Sequence, residues 1–200
     1  MWRWVIGTIA IVAAAAIFLF NPPFMQRSDN GYNESTTTPM TDDTLTLTST
    51  AFENMASIPA KYTCDGEQVS PPLAVSGIPA GTVSLALIMD DPDIPAVFKE
   101  QRGVGEFVHW VLYNVPPQTK EIASGAAVGV VGANGAGKNV YAGPCPPPQY
   151  EPSTHRYFFK LYALDQNLPL QAGATKADVE RTMAGHIIAE TQLVGTYKRK

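Results

Sequence analysis

Four short segments of this chain carry most of its chemically capable side chains: Asp90-Asp91-Pro92-Asp93, His109-Trp110, Gly143-Pro144-Cys145-Pro146-Pro147 and His155-Arg156-Tyr157. Asp91 and Asp93 supply two carboxylates and His109 and His155 two imidazoles, each of which taken singly reads as a turn-capping aspartate or a satisfied core or strand histidine. A histidine held by a carboxylate and protonated offers charge-assisted hydrogen bonds to ligand oxygens. Glycine at 143 lets backbone amides come close to a ligand, and the Tyr157 hydroxyl adds a donor. The same residue types allow two other chemistries. Cys145 with a histidine and an aspartate has the composition of a cysteine-nucleophile hydrolase, but proline stands on both sides of it and no helix N-terminus follows to lower its pKa. A metal site built on His109, His155 and the two aspartates has acceptable ligand types and no local spacing to support it. The expectation is a binding protein that uses neither cofactor nor metal and is not an enzyme.

A glycine-rich stretch invites a different reading. Residues 132–138, Gly-Ala-Asn-Gly-Ala-Gly-Lys, fit the first seven positions of a phosphate-binding P-loop, with residues 128–131 as a leading strand. Asn139 stands where a Ser or Thr hydroxyl should reach magnesium, and the prolines from 144 onward prevent the helix whose N-terminus would face the phosphates. The segment is expected to be a loop.

The elements that must deliver the site read mostly as strands. Residues 44–50 alternate threonine with Leu45 and Leu47, and residues 82–89, 107–115 and 156–164 are apolar, aromatic and β-branched. Pro/Gly-rich turns separate them, at residues 70–72, 78–81 and 115–117. Period-2 alternation places His109 on the face of Phe107, Val111 and Tyr113, and His155 on the face of Tyr157, Phe159 and Leu161. Asp91 and Asp93 are expected just past a strand end, in a turn stiffened by Pro92. Thr175 and Asp178 form a capping pattern, followed by Val179, Met183 and Ile187 at helical spacing, and residues 192–197 read as a last strand.

Composition sets the wider frame. Two hundred residues, 45% hydrophobic and 16% charged, suffice for one core once a leader is set aside. A formal net charge of -4 excludes the basic field that a nucleic-acid partner requires. The 17-residue uncharged run at residues 4–20 would span about 25 Å as a helix. No good cleavage site follows it, so a membrane anchor is favoured over a signal segment whose cleavage would leave the domain secreted, and Arg3 predicts that the domain faces away from the cytoplasm. Residues 21–43 are polar and aperiodic, a flexible linker, and the folded domain is assigned to 44–200. Cys64 and Cys145 are either a disulfide, which the chain-entropy picture values at roughly 4 to 5 kcal/mol, or two buried thiols.

Taken together and in order, these motifs resemble the phosphatidylethanolamine-binding protein family in its bacterial Raf-kinase-inhibitor-like branch. The likeness rests on Asp-Pro-Asp at 91–93, His-Trp at 109–110, Gly-Pro-Cys-Pro-Pro at 143–147 and His-Arg-Tyr-Phe-Phe at 155–159. It extends to Tyr-Thr-Cys-Asp-Gly at 62–66, Ser-Pro-Pro-Leu at 70–73, Leu-Tyr-Ala-Leu-Asp at 161–165, Gly185-His186 and Leu-Val-Gly-Thr-Tyr at 193–197. The resemblance implies a mainly β, two-sheet antiparallel fold with a C-terminal helix. It also implies a small pocket for phosphate-like anions, including phospholipid head groups, formed by Asp91, Asp93, His109, Gly143, Pro144, His155 and Tyr157. Members are associated with inhibition of kinases or proteases, so a protein partner without a lipid ligand is the second reading. Two departures bear on the pocket rim: Val75 stands where bacterial relatives usually have tryptophan, and residues 96–106 lengthen the segment between Asp-Pro-Asp and His-Trp. The aspartates are expected to orient His109 or His155 and favour its protonated form, so binding should weaken as pH rises.

Overall fold

A computed structural model describes residues 44–199. The run at residues 4–20 and the linker at 21–43 lie outside them, and so do the anchor and linker readings. Among the described residues no helix is long and apolar enough to cross a membrane.

In chain order the described residues form β1 (Thr46–Thr48), β2 (Leu73–Ser76), β3 (Ser84–Asp91), α1 (Ala96–Arg102), β4 (Phe107–Val115), β5 (Glu121–Ile122), β6 (Val130–Val131), β7 (Thr154–Leu164), α2 (Lys176–Met183) and β8 (Ile187–Lys198). They pair as a three-stranded sheet, β1-β2-β5, and a five-stranded sheet, β6-β4-β3-β7-β8, with every strand pairing antiparallel. The fold is therefore mainly β and two-sheeted, with α2 near the C-terminus.

The central strand β3 explains the layering. Its Leu85, Leu87 and Met89 enter a core shared with Leu47, Leu73, Val75 and Ile122 of the small sheet. Its Ala86 and Ile88 enter a second core closed by Val179 and Met183 of α2. A strand covered on both faces reads as a continuous apolar run, as residues 85–89 do, and each such buried Leu or Met contributes roughly 1.5–3 kcal/mol.

Element boundaries differ from the sequence expectation at the end of β3 and at the end of α2. β3 continues through Asp90 and Asp91, because each has strand partners: Asp90 lies opposite Val108 and Phe158, and Asp91 opposite Phe107. Asp91 is thus the last residue of a strand rather than part of the turn. The capping box on α2 forms as expected, with the Thr175 hydroxyl accepting from the Asp178 amide and the Asp178 carboxylate accepting from the Thr175 amide. Ile187 does not belong to that helix. Gly185 takes a left-handed φ of 84°, which turns the chain out of the helix, and Ile187 opens β8.

Candidate functional site

A β-bulge builds the site. In β4 the register with β3 slips between Met89 opposite Trp110 and Asp90 opposite Val108, leaving His109 as the extra residue. His109 and Trp110 consequently point to the same side of the sheet. Val111 and Tyr113 go to the α2 side, whereas the His109 ring meets Tyr157 edge-on at 5.2 Å and Phe107 at 4.8 Å. Strict alternation had placed His109 with Val111 and Tyr113. The bulge re-aims it to the face that carries Asp91 and His155.

His155 keeps its expected face, shared with Tyr157, Phe159 and Leu161. It is 1% exposed, Asp91 is 3% and His109 is 4%, so the three groups form a buried cluster drawn from β7, β3 and β4. The Asp91 Oδ2 atom accepts from His155 Nδ1 at 2.7 Å and lies 4.0 Å from His109 Nε2. Its Oδ1 accepts the Asp93 amide at 2.8 Å, an Asx-type turn that ends the strand. His109 Nδ1 donates to the Ala142 carbonyl at 2.6 Å. Asp91 therefore orients His155, while a backbone carbonyl orients His109.

The electrostatics depart from expectation at His109. Burial pushes its pKa below the ordinary imidazole value, and the Ala142 carbonyl with the charges of Asp91 and Asp90 only partly offsets that cost. A standing His109 cation is disfavoured. Burial likewise pushes the Tyr157 phenol far up, and the nearby Asp91 charge adds to it. The Tyr157 hydroxyl and His155 Nε2 are buried without a hydrogen-bond partner among the described residues; the Cys145 carbonyl lies near that hydroxyl without forming a bond of sound geometry.

Above this cluster opens a cleft of about 700 Å³, lined at its base by Asp91, His109 and His155. One wall is the Ala142 to Pro147 segment, tied to the turn at Cys64 by the Cys64–Cys145 disulfide and by the Cys64 amide donating to the Pro144 carbonyl at 3.0 Å. Gly143 is required there, since a β-carbon would stand 2.9 Å from Gln68 Cγ and 3.0 Å from the Tyr62 carbonyl oxygen. With both cysteines bonded, the described residues contain no free thiol for a cysteine nucleophile. The opposite wall comes from Ile94, Pro95 and Phe98, with Arg102 and Glu106 at the rim of α1 and the loop after it.

Of the sequence-derived residues, Asp91, His109, Gly143 and His155 meet at the cleft, while Pro144 and Tyr157 lie behind it. Asp93 is not in the lining. Its carboxylate forms a two-pronged pair with Arg156, at 2.8 Å to both Nε and Nη2, which holds its pKa below the usual carboxylate value. Val75 is buried opposite Leu47 and does not reach the rim, whereas the longer segment at 96–106 supplies one wall. Arg102 and Phe98 were missed from sequence, although they stand four residues apart on one helix face. The P-loop-like stretch is a loop whose amides are already taken: Asn134 Oδ1 accepts from the Ala136 and Lys138 amides at 2.9 and 3.1 Å, where a phosphate would otherwise sit.

Fold and cleft together define an antiparallel two-sheet domain with a buried histidine–carboxylate cluster under an open cleft at one end of its larger sheet. Residues 48–198 match the Phosphatidylethanolamine-binding protein family, and the chain belongs to that family. It is 46% identical over 154 residues to a UPF0098 protein of Chlamydia muridarum, covering 76% of this chain and 98% of that one. A UPF0098 protein of Methanothermobacter thermautotrophicus is 42% identical over 162 residues, covering 78% and 99%. Among solved structures, a phosphatidylethanolamine-binding protein homologue from Chlamydia trachomatis superposes with a TM-score of 0.73 at 42% identity, over 79% of this chain and 99% of that one. Escherichia coli YbcL, described as a member of the mammalian family, gives 0.68 at 25% identity, over 78% and 99%.

Proposed function

We propose that this chain is an extracytoplasmic binding protein for a phosphate-bearing small molecule or head group, and that it acts by binding rather than by catalysis. One observation carries the reading: two buried histidines converge on one buried carboxylate at the base of an open cleft. Buried polar groups of this kind are costly unless something pairs with them, and His155 Nε2 has no hydrogen-bond partner among the described residues. Arg102 at the rim supplies a fixed cation for an anionic ligand, and the apolar walls suit a ligand with a non-polar portion. The disulfide supports an oxidising compartment. Membrane attachment through residues 4–20 would keep such a site beside lipid head groups.

The direct test is to titrate O-phosphoethanolamine into the purified chain while following the imidazole resonances by NMR. Shifts confined to His109 and His155, with His186 unmoved as an internal control, are the expected result. His186 pairs with Asp165 outside the cleft. Unmoved His109 and His155 resonances up to about 10 mM ligand, a ceiling near −3 kcal/mol of binding free energy, would remove the proposal.

A further inference from the structure

We infer that the cleft selects a phosphate group that still carries a proton, a phosphomonoester in its monoanionic form, and discriminates against phosphodiesters. The inference rests on the phosphate-binding reading above and specifies its ligand.

Hydrogen-bond polarity makes the argument. The Ala142 carbonyl can only accept, so the proton of neutral His109 sits on Nδ1, 2.6 Å away, and its Nε2 carries a lone pair. The Asp91 carboxylate can only accept when ionised, so His155 Nδ1, 2.7 Å away, carries the hydrogen of that bond, and His155 Nε2 is sealed away from the cleft. His109 Nε2 and Asp91 Oδ2, 4.0 Å apart, thus present two acceptors at the base of the cleft with no donor between them.

The charged groups around the cluster do not change that polarity. From β3, Asp90 turns to the opposite face, where Lys160 and Lys176 bind it at 2.9 and 2.7 Å. Glu106 on the cleft wall is held by Lys176, and Asp93 by Arg156. From β7, Tyr157 offers a sealed hydroxyl, and from α1 Arg102 is the one fixed cation among the lining residues. Burial works against converting His109 into a second donor.

A ligand that fits must therefore bring a hydrogen to the base and negative oxygens to the rim. A phosphomonoester has a second pKa near 6, and its monoanion carries one P–OH alongside anionic oxygens. The hydroxyl can donate to His109 Nε2 while Arg102 pairs with the charge, and no covalent bond changes. A diester has no such proton and sets its lone pairs against those of His109 Nε2 and the Asp91 carboxylate. An acceptor left facing an acceptor in a buried site weakens binding roughly ten- to hundredfold.

The test is calorimetric titration of the full chain with O-phosphoethanolamine, a monoester, and glycerophosphoethanolamine, a diester with the same amine. At about pH 6 the monoester should bind at least roughly tenfold more tightly, and its affinity should fall about tenfold per pH unit above that value as the monoanion is depleted. Equal or tighter binding of the diester would overturn the inference and leave the phosphate reading standing, with histidinium as the donor. Binding of neither would overturn both.

Discussion

The disulfide offers the sharpest quantitative test of how the cleft is held. Cys64 and Cys145 lie 81 residues apart and both line the cleft, so their bond closes a large loop through β2 to β6. In the chain-entropy relation, a loop of that length lowers the entropy of the unfolded chain by about 15 cal/mol/K, or about 4.5 kcal/mol at 25 °C. Replacing both residues, Cys64→Ala with Cys145→Ala, should leave the β-core intact, because neither sulfur belongs to either buried apolar cluster. The folded state should lose about 4.5 kcal/mol in urea or guanidinium unfolding, and the melting temperature should fall by roughly 9–18 °C for a domain of this size. Thiol counting on denatured wild type must first give no free cysteine. A loss below about 1 kcal/mol in a chain shown to carry the bond would refute the reasoning and locate the effect of the bridge in the folded wall instead.

Two further outcomes follow from the charges around the site. Because the folded-state pKa of His109 lies below its ordinary value of about 6.5, the unfolded chain binds more protons in the window between them. The stability that His109 contributes is complete above about pH 6.5 and is lost as pH falls towards the folded pKa. Urea midpoints should decline across that window in the wild type and less so in His109→Gln; a wild-type midpoint that rises on acidification would contradict it. Asp65, Asp93 and Asp178, whose pKa values are lowered, titrate below 3.8 and do not interfere. Separately, Lys176→Met leaves buried Asp90 with Lys160 alone and frees Glu106, which should cost about 1–3 kcal/mol, less than the 3–5 of a fully isolated charge. Unchanged unfolding energetics in that variant would show that Lys160 suffices.

Much of the sheet was legible because central strands advertise themselves. The run at 107–115 coincides with β4, and the run at 156–164 with all but the first two residues of β7, since apolar and aromatic side chains dominate both, although one face of β7 at Arg156, Phe158 and Lys160 is only partly covered. The cluster was legible only as a set of motifs. Asp91 and His155 are 64 residues apart in sequence, and nothing local says that strand pairing joins them. The bulge at His109 was invisible for a related reason: a register slip belongs to the pair β3–β4, whereas the sequence around His109 alternates no differently from an unbulged strand. β2, β5 and α1 were missed as elements because two to seven residues hold too little periodicity, and α1 buries no residue. Ile187 fitted helical spacing by coincidence, because Gly185 redirects the chain two residues before it.

The side chain that occupies the glycine-rich loop also bears on how long the cleft wall stays chemically intact. Asn134 is followed by Gly135, the dipeptide most prone to losing ammonia, since an unhindered glycine nitrogen can attack the neighbouring amide carbon to form a succinimide. Here that nitrogen is bound to the Val108 carbonyl at 2.7 Å, and the Asn134 carboxamide is held from both ends, its oxygen by two amides and its nitrogen by the Val140 carbonyl. Ring closure would require breaking all of these contacts beside Phe107. Folding thus shields the residue from an ageing reaction to which its own sequence exposes it, and isomerised or deamidated product at this position would mark molecules that had unfolded.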